Sequence, residues 1–148
     1  MLQVTLTNAQ QTLEINASLH EKLLAVPQKI LADAGVLHAQ LEIAVVDDDE
    51  IQRVHRDFLG KDSTTDVISF PYLNNPEEKR IEGELFLSAD TALRSAPEFN
   101  LTPKQELLLY AIHGTLHLVG YDDQTDLQRT EMRAKEQEYL QPVLGENF

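Results

Sequence analysis

From Leu107 to Val119 the chain spells a helix that is apolar on almost every side, and such a helix belongs at the buried centre of a fold. Leu107, Leu108, Ile112, Leu116 and Val119 leave it little polar surface, and a helix hydrophobic all round is enclosed by the rest of its protein. Thr102 reads as its N-cap, Pro103 occupies the first helical position, and Glu106 is placed close to a capping-box partner. Gly120 supplies the left-handed residue that stops it. Within this apolar frame stand His113 and His117, four residues apart and therefore on one face, close enough to share one ion. Past Gly120 the chain can turn back and bring Asp122 or Asp123 to the same ion. Two nitrogens and one carboxylate oxygen leave a fourth position for water, the coordination of a catalytic rather than a structural zinc site. Core histidines with satisfied hydrogen bonds are the plainer reading. The glycine stop and the acids after it favour the metal. A metalloprotease of the H-E-x-x-H type needs a glutamate after the first histidine, and Gly114 stands there instead.

The remaining pattern alternates strands with helices. Leu2 to Leu6 reads as a half-buried strand, with Thr12 to Ile15 extending or pairing with it. Ser18 to Ala34 keeps helical spacing through Leu19, Leu23, Leu24, Ile30 and Leu31, and Pro27 predicts a kink or two short helices. Leu41 to Val46 is a β-branched run. The acids Asp47 to Glu50 then open a helix carrying Ile51, Val54 and Phe58. A turn at Gly60 to Ser63 precedes a short strand, Asp66 to Phe70, that Pro71 is expected to stop. After a polar loop from Asn74 to Arg80, Ile81 to Leu87 reads as a strand, and Ser88 or Asp90 opens a helix reaching about Ala96. A charged helix from about Asp126 to Leu140 ends the pattern. The expected architecture is α/β: one mixed sheet of about four strands with about five helices, the metal helix central, in a single domain spanning 1–148.

Composition narrows the function. The net charge of −13 excludes broad adhesion to nucleic acid, so any such contact must be local, while an acidic body suits a basic protein partner. The absence of cysteine removes thiolate ligands and thiol nucleophiles and fits a reducing compartment. No apolar run approaches the roughly 20 residues that span a bilayer. A cytoplasmic protein without a membrane partner is the expectation.

Three blocks of the sequence resemble the YbeY family of bacterial ribosomal-RNA maturation endoribonucleases. They are His113-Gly-Thr-Leu-His117-Leu-Val-Gly-Tyr-Asp122, Gly60-Lys61-Asp62 followed by Thr65-Asp66-Val67-Ile68-Ser69-Phe70-Pro71, and Ile81-Glu-Gly83-Glu84-Leu85. The resemblance implies a zincin-like fold and a divalent ion bound by His113, His117 and Asp123, zinc first, with manganese, nickel or iron(II) as the other candidates. It also implies cleavage of single-stranded ribosomal RNA near the 3′ end of the small subunit, in maturation and ribosome quality control. The chain departs from the family at three places. Asp123 stands where a third histidine is usual, Leu59 where an arginine is usual, and His55 where an asparagine is common.

The chemistry expected on this reading is hydrolysis of an RNA phosphodiester, the ion polarising a phosphate oxygen and acidifying its bound water. Lys61 and His55 are the nearest replacements for the missing arginine, and Thr65, Asp66 and Ser69 are candidates to line a substrate groove. Asp122 and Tyr121 read as structural parts of the turn. A ribosome-associated factor that binds the small subunit or a basic ribosomal protein without cutting is the alternative. A non-haem iron enzyme built on a two-histidine, one-carboxylate triad ranks below both.

Overall fold

A computed structural model describes residues 1–146 and 148. Four strands form one mixed sheet in the order β1-β2-β4-β3: β1 (Leu2–Ala9), β2 (His38–Val46), β3 (Val67–Asn75) and β4 (Arg80–Ser88). β1, β2 and β4 run parallel, and β3 returns antiparallel along the β4 edge. The helices are α1 (Ala17–Asp33), α2 (Asp48–Leu59), α3 (Ala89–Ser95), α4 (Pro103–Leu118) and α5 (Asp126–Leu144), with a 3-10 turn at Ala96–Phe99. Among the described residues the expected α/β architecture, one four-stranded mixed sheet with five helices, is the one observed.

Alternation in β2 and β4 sends Leu41, Ile43, Leu85 and Leu87 into the main core, where they meet Leu19, Leu23, Leu107, Leu108 and Ile112 from α1 and α4. Both central strands therefore pack their large aliphatics under α4. The opposite face is covered at one end by α2, through a smaller cluster of Val46, Ile51, Val54 and Ile68.

Two glycines set how closely α4 approaches the sheet. A Cβ at Gly114 would lie 2.9 Å from Leu85 Cδ2 and 3.2 Å from Ser69 Oγ, and one at Gly83 would lie 3.0 Å from the Phe70 carbonyl. The glutamate of an H-E-x-x-H protease has no room at position 114, so sterics exclude it as firmly as chemistry.

Four local expectations are corrected. Thr12 to Ile15 is not a strand, because Gln10 satisfies that backbone itself: its Oε1 accepts from the Thr12 and Leu13 amides at 2.8 Å, and its Nε2 donates to the Leu13 carbonyl. α1 runs through Pro27 as one helix rather than two short ones, since Leu19, Leu23, Pro27, Ile30 and Leu31 form one buried stripe whose packing outweighs the lost hydrogen bond. β3 continues past Pro71 to Asn75. It is an edge strand, where a missing N–H is tolerated, and its register shifts between Pro71 and Leu73. The capping box of α4 pairs Thr102 with Gln105 rather than Glu106, and Glu106 is instead buried at 3 % exposure.

Candidate metal centre

The end of α4 is built as the sequence dictates. Val119 is the C-cap, Gly120 takes φ +110°, its amide donates to the His117 carbonyl at 3.1 Å, and the Tyr121 amide donates to the Leu116 carbonyl at 3.0 Å. These two bonds are the Schellman closure that a glycine at this position permits. The chain then reverses. Asp122 Oδ1 accepts from the Asp123 amide at 2.8 Å, and Arg129 Nη1 donates to the Asp123 carbonyl at 3.2 Å. Thr125 and Gln128 form the capping box that starts α5. The turn carrying Asp123 is thus held from both sides. Asp122 serves its backbone, and Tyr121 packs on the main core.

This geometry brings three ligand atoms together. His113 Nε2 lies 3.0 Å from His117 Nε2, and Asp123 Oδ2 lies 3.6 Å from the first and 3.5 Å from the second. Four-coordinate zinc with bonds of about 2.05 Å separates neighbouring ligand atoms by about 3.3 Å. The donor set fits a divalent ion in both spacing and chemistry, and it is the one such cluster of three or more ligands among the described residues. His113 also donates from Nδ1 to Glu136 Oε2 at 2.7 Å. Burial works against protonation of His113. The Glu136 hydrogen bond and charge, with the charges of Asp66 and Asp123, outweigh it and hold the imidazole above its ordinary pKa.

A groove of about 690 Å³ opens beside these side chains, and its lining includes His55, Leu59, Lys61, Thr65, Asp66, Ser69, His113, His117 and Asp123. Of the two aspartates offered as the third ligand, Asp123 borders this space and Asp122 is not in its lining. The surroundings of the lining residues differ. His55 Nδ1 donates to the Ser63 carbonyl at 2.8 Å and so pins the loop that carries Lys61. Ser69 Oγ donates to the Gly114 carbonyl at 3.4 Å, fastening β3 to α4. Asp66 Oδ1 accepts from the Val67 amide at 2.7 Å at the start of β3. Arg53 and Arg56 are engaged with Glu50, Asp57 and Asp62, and Lys61 is the one lysine or arginine of the lining. Leu59 is 48 % exposed at the rim.

Sequence reasoning missed Glu136. It lies in a charged helix with no motif of its own, and the signal that could have found it is the four-residue spacing that puts it in line with Met132 and Leu140.

The family model described as Endoribonuclease YbeY matches residues 5–143 of this chain. The chain belongs to the YbeY endoribonuclease family. The expectations of a hydrolase, a nuclease and an endonuclease stand with that assignment. An Endoribonuclease YbeY of Rhodopirellula baltica is 44 % identical over 116 residues, which are 72 % of this chain and 59 % of the relative, so this match spans little more than half of the relative's length. One of Syntrophotalea carbinolica is 38 % identical over 131 residues, 85 % of this chain and 87 % of the relative. A solution structure from Thermotoga maritima superposes with a TM-score of 0.68 at 30 % identity, covering 97 % of this chain and 91 % of the other. Among the described residues no helix is long and apolar enough to cross a membrane.

Proposed function

We propose that this YbeY-family chain hydrolyses single-stranded RNA, with ribosomal RNA near the small-subunit 3′ end as substrate, using a divalent ion held by His113, His117 and Asp123. The observation that carries the reading is the convergence of three ligand atoms, 3.0 to 3.6 Å apart, on the wall of a groove that also contains Lys61. Zinc suits two imidazoles and a carboxylate, and the negative oxygen extends the site to manganese, nickel or iron(II). When bound, the ion supplies Lewis acidity toward a phosphate oxygen and toward water.

The chain's own groups do the rest. The Schellman turn and Arg129 hold Asp123 facing the histidines, so the ligands need little rearrangement. Lys61 supplies a cation for a substrate phosphate. His55 keeps that loop in place through Ser63 and itself lines the groove. Thr65, Asp66 and Ser69 border the path of the strand, with Ser69 also bracing β3 against α4.

We assign the protein to the cytoplasm as one domain, acting on the small ribosomal subunit together with a basic ribosomal protein, because the net charge of −13 complements a basic surface. The test compares cleavage of single-stranded ribosomal RNA by wild type and by His117→Ala, with bound metal measured in both. Loss of metal and of cleavage is expected, and equal cleavage by the two proteins refutes the mechanism. Leu59, exposed at the groove rim where a cation would serve a nuclease, favours one second reading: a factor that binds the small subunit without cutting. Co-sedimentation with small subunits at full metal occupancy and without RNA cleavage would establish that reading instead.

A further inference from the structure

We propose that Glu136 is a positioning residue for the metal centre, fixing the His113 ring and thereby tying retention of the ion to docking of the C-terminal helix. The inference rests on the reading that His113, His117 and Asp123 hold an ion, and its test separates the two.

Glu136 lies in α5, which contributes none of the three clustered ligands. Its side chain is 14 % exposed, and its hydrogen-bond partner among the described residues is His113, at 2.7 Å. A carboxylate so far removed from water needs a strong donor, and the imidazole Nδ1–H supplies it. A carboxylate only accepts, so in the neutral ring that bond places the proton on Nδ1. With Nδ1 donating to Glu136, Nε2 is the nitrogen with a free lone pair, and Nε2 is the atom that faces His117 Nε2 at 3.0 Å and Asp123 Oδ2 at 3.6 Å. A histidine ligand oriented by a carboxylate on its other nitrogen is a recurrent way of fixing tautomer and ring direction.

Glu136 is itself rigidly carried. Met132 and Leu140, one turn before and after it, are buried at 2 % and 1 % exposure. Tyr139 donates from its hydroxyl to Asp33 Oδ2 on α1 at 2.8 Å. The register of α5 on α1 and α4 therefore fixes where the carboxylate stands. By linkage, whatever undocks α5 weakens the ion's hold, and the ion in turn holds α5 down.

The experiment measures zinc dissociation constants by chelator competition for wild type, Glu136→Ala, Glu136→Gln and His117→Ala, alongside the melting temperature of each metal-free protein. Glu136→Ala is expected to weaken zinc binding roughly ten- to a hundred-fold. Glu136→Gln, which keeps an acceptor oxygen and loses the charge, is expected to fall between Ala and wild type. A Glu136→Ala protein that melts lower yet binds zinc within two-fold of wild type, while His117→Ala loses zinc, overturns the positioning role and leaves the metal centre standing. Unchanged zinc affinity in His117→Ala overturns the metal centre as well. Should Glu136→Ala fail to fold, amide exchange decides: zinc must slow exchange across 132–140 in wild type and slow it less in Glu136→Gln, and equal slowing in both overturns the inference.

Discussion

Gly114→Ala is the smallest perturbation that tests how α4 is seated on the sheet, and two opposed effects set its outcome. In the middle of a helix alanine is favoured over glycine by about 1 kcal/mol, so propensity alone makes the substitution stabilising. The added methyl would meet Leu85 Cδ2 at 2.9 Å, Leu85 Cδ1 at 3.1 Å and Ser69 Oγ at 3.2 Å. Leu85 is fully buried and cannot swing aside without displacing its own neighbours. Overpacking of this kind costs roughly 1–3 kcal/mol. The net expectation is a loss of about 1 kcal/mol, a drop of about 2–4 °C in melting temperature for a chain of this length. Zinc affinity should fall as well, because His113 is the adjacent residue. The assay is a double-mutant cycle with Leu85→Val, which withdraws one carbon from the crowded spot. Gly114→Ala combined with Leu85→Val should lose at least about 0.5 kcal/mol less than the sum of the two single changes. A higher melting temperature for Gly114→Ala, or strict additivity in the cycle, would refute the close-approach argument.

Asp123→His replaces a charged ligand by a neutral one, so RNA cleavage at saturating zinc should rise several-fold, and Asp123→Ala should lower bound metal in mass spectrometry of the native protein. Leu59→Arg sets a cation on the groove rim. It should lower the KM for single-stranded RNA and steepen the dependence of log binding constant on log salt by about 0.7, with stability changed by less than about 0.5 kcal/mol. Burial raises the Glu106 pKa, opposed by a Tyr110 hydrogen bond and reinforced by the charges of Asp66, Glu136 and Glu98. The folded protein therefore holds this proton to higher pH than the unfolded chain does, and ionisation costs stability as pH rises past the ordinary carboxylate range. Glu106→Gln should be more stable than wild type at pH 8 by roughly 1–3 kcal/mol, with the gain disappearing in acid, as followed by urea unfolding.

What could be read from the sequence was what neighbouring residues decide. Thr102, Pro103 and Gly120 mark the two ends of α4 through capping chemistry confined to one turn each, and the alternation of β2 and β4 follows from strand period. The groove was legible residue by residue, since His55, Lys61, Thr65, Asp66 and Ser69 all border it. Misreadings came where a distant or side-chain contact decides. Pro27 stays helical because of the stripe it shares with Leu23 and Ile30, and Gln10 holds the Thr12 backbone out of the sheet. The nearness of Gly114 to Leu85, and of Glu136 to His113, spans 29 and 23 positions of sequence, and no local pattern encodes either.

Pro71 sits in β3, the strand whose outer side is open to other molecules. A row of free amide donors there would be a template on which a second copy could add its own strand. The proline ring removes one donor, and the register shift beside it bends the row out of line. The border of the groove is thereby made a poorer template for a neighbouring strand than an unbroken edge would be.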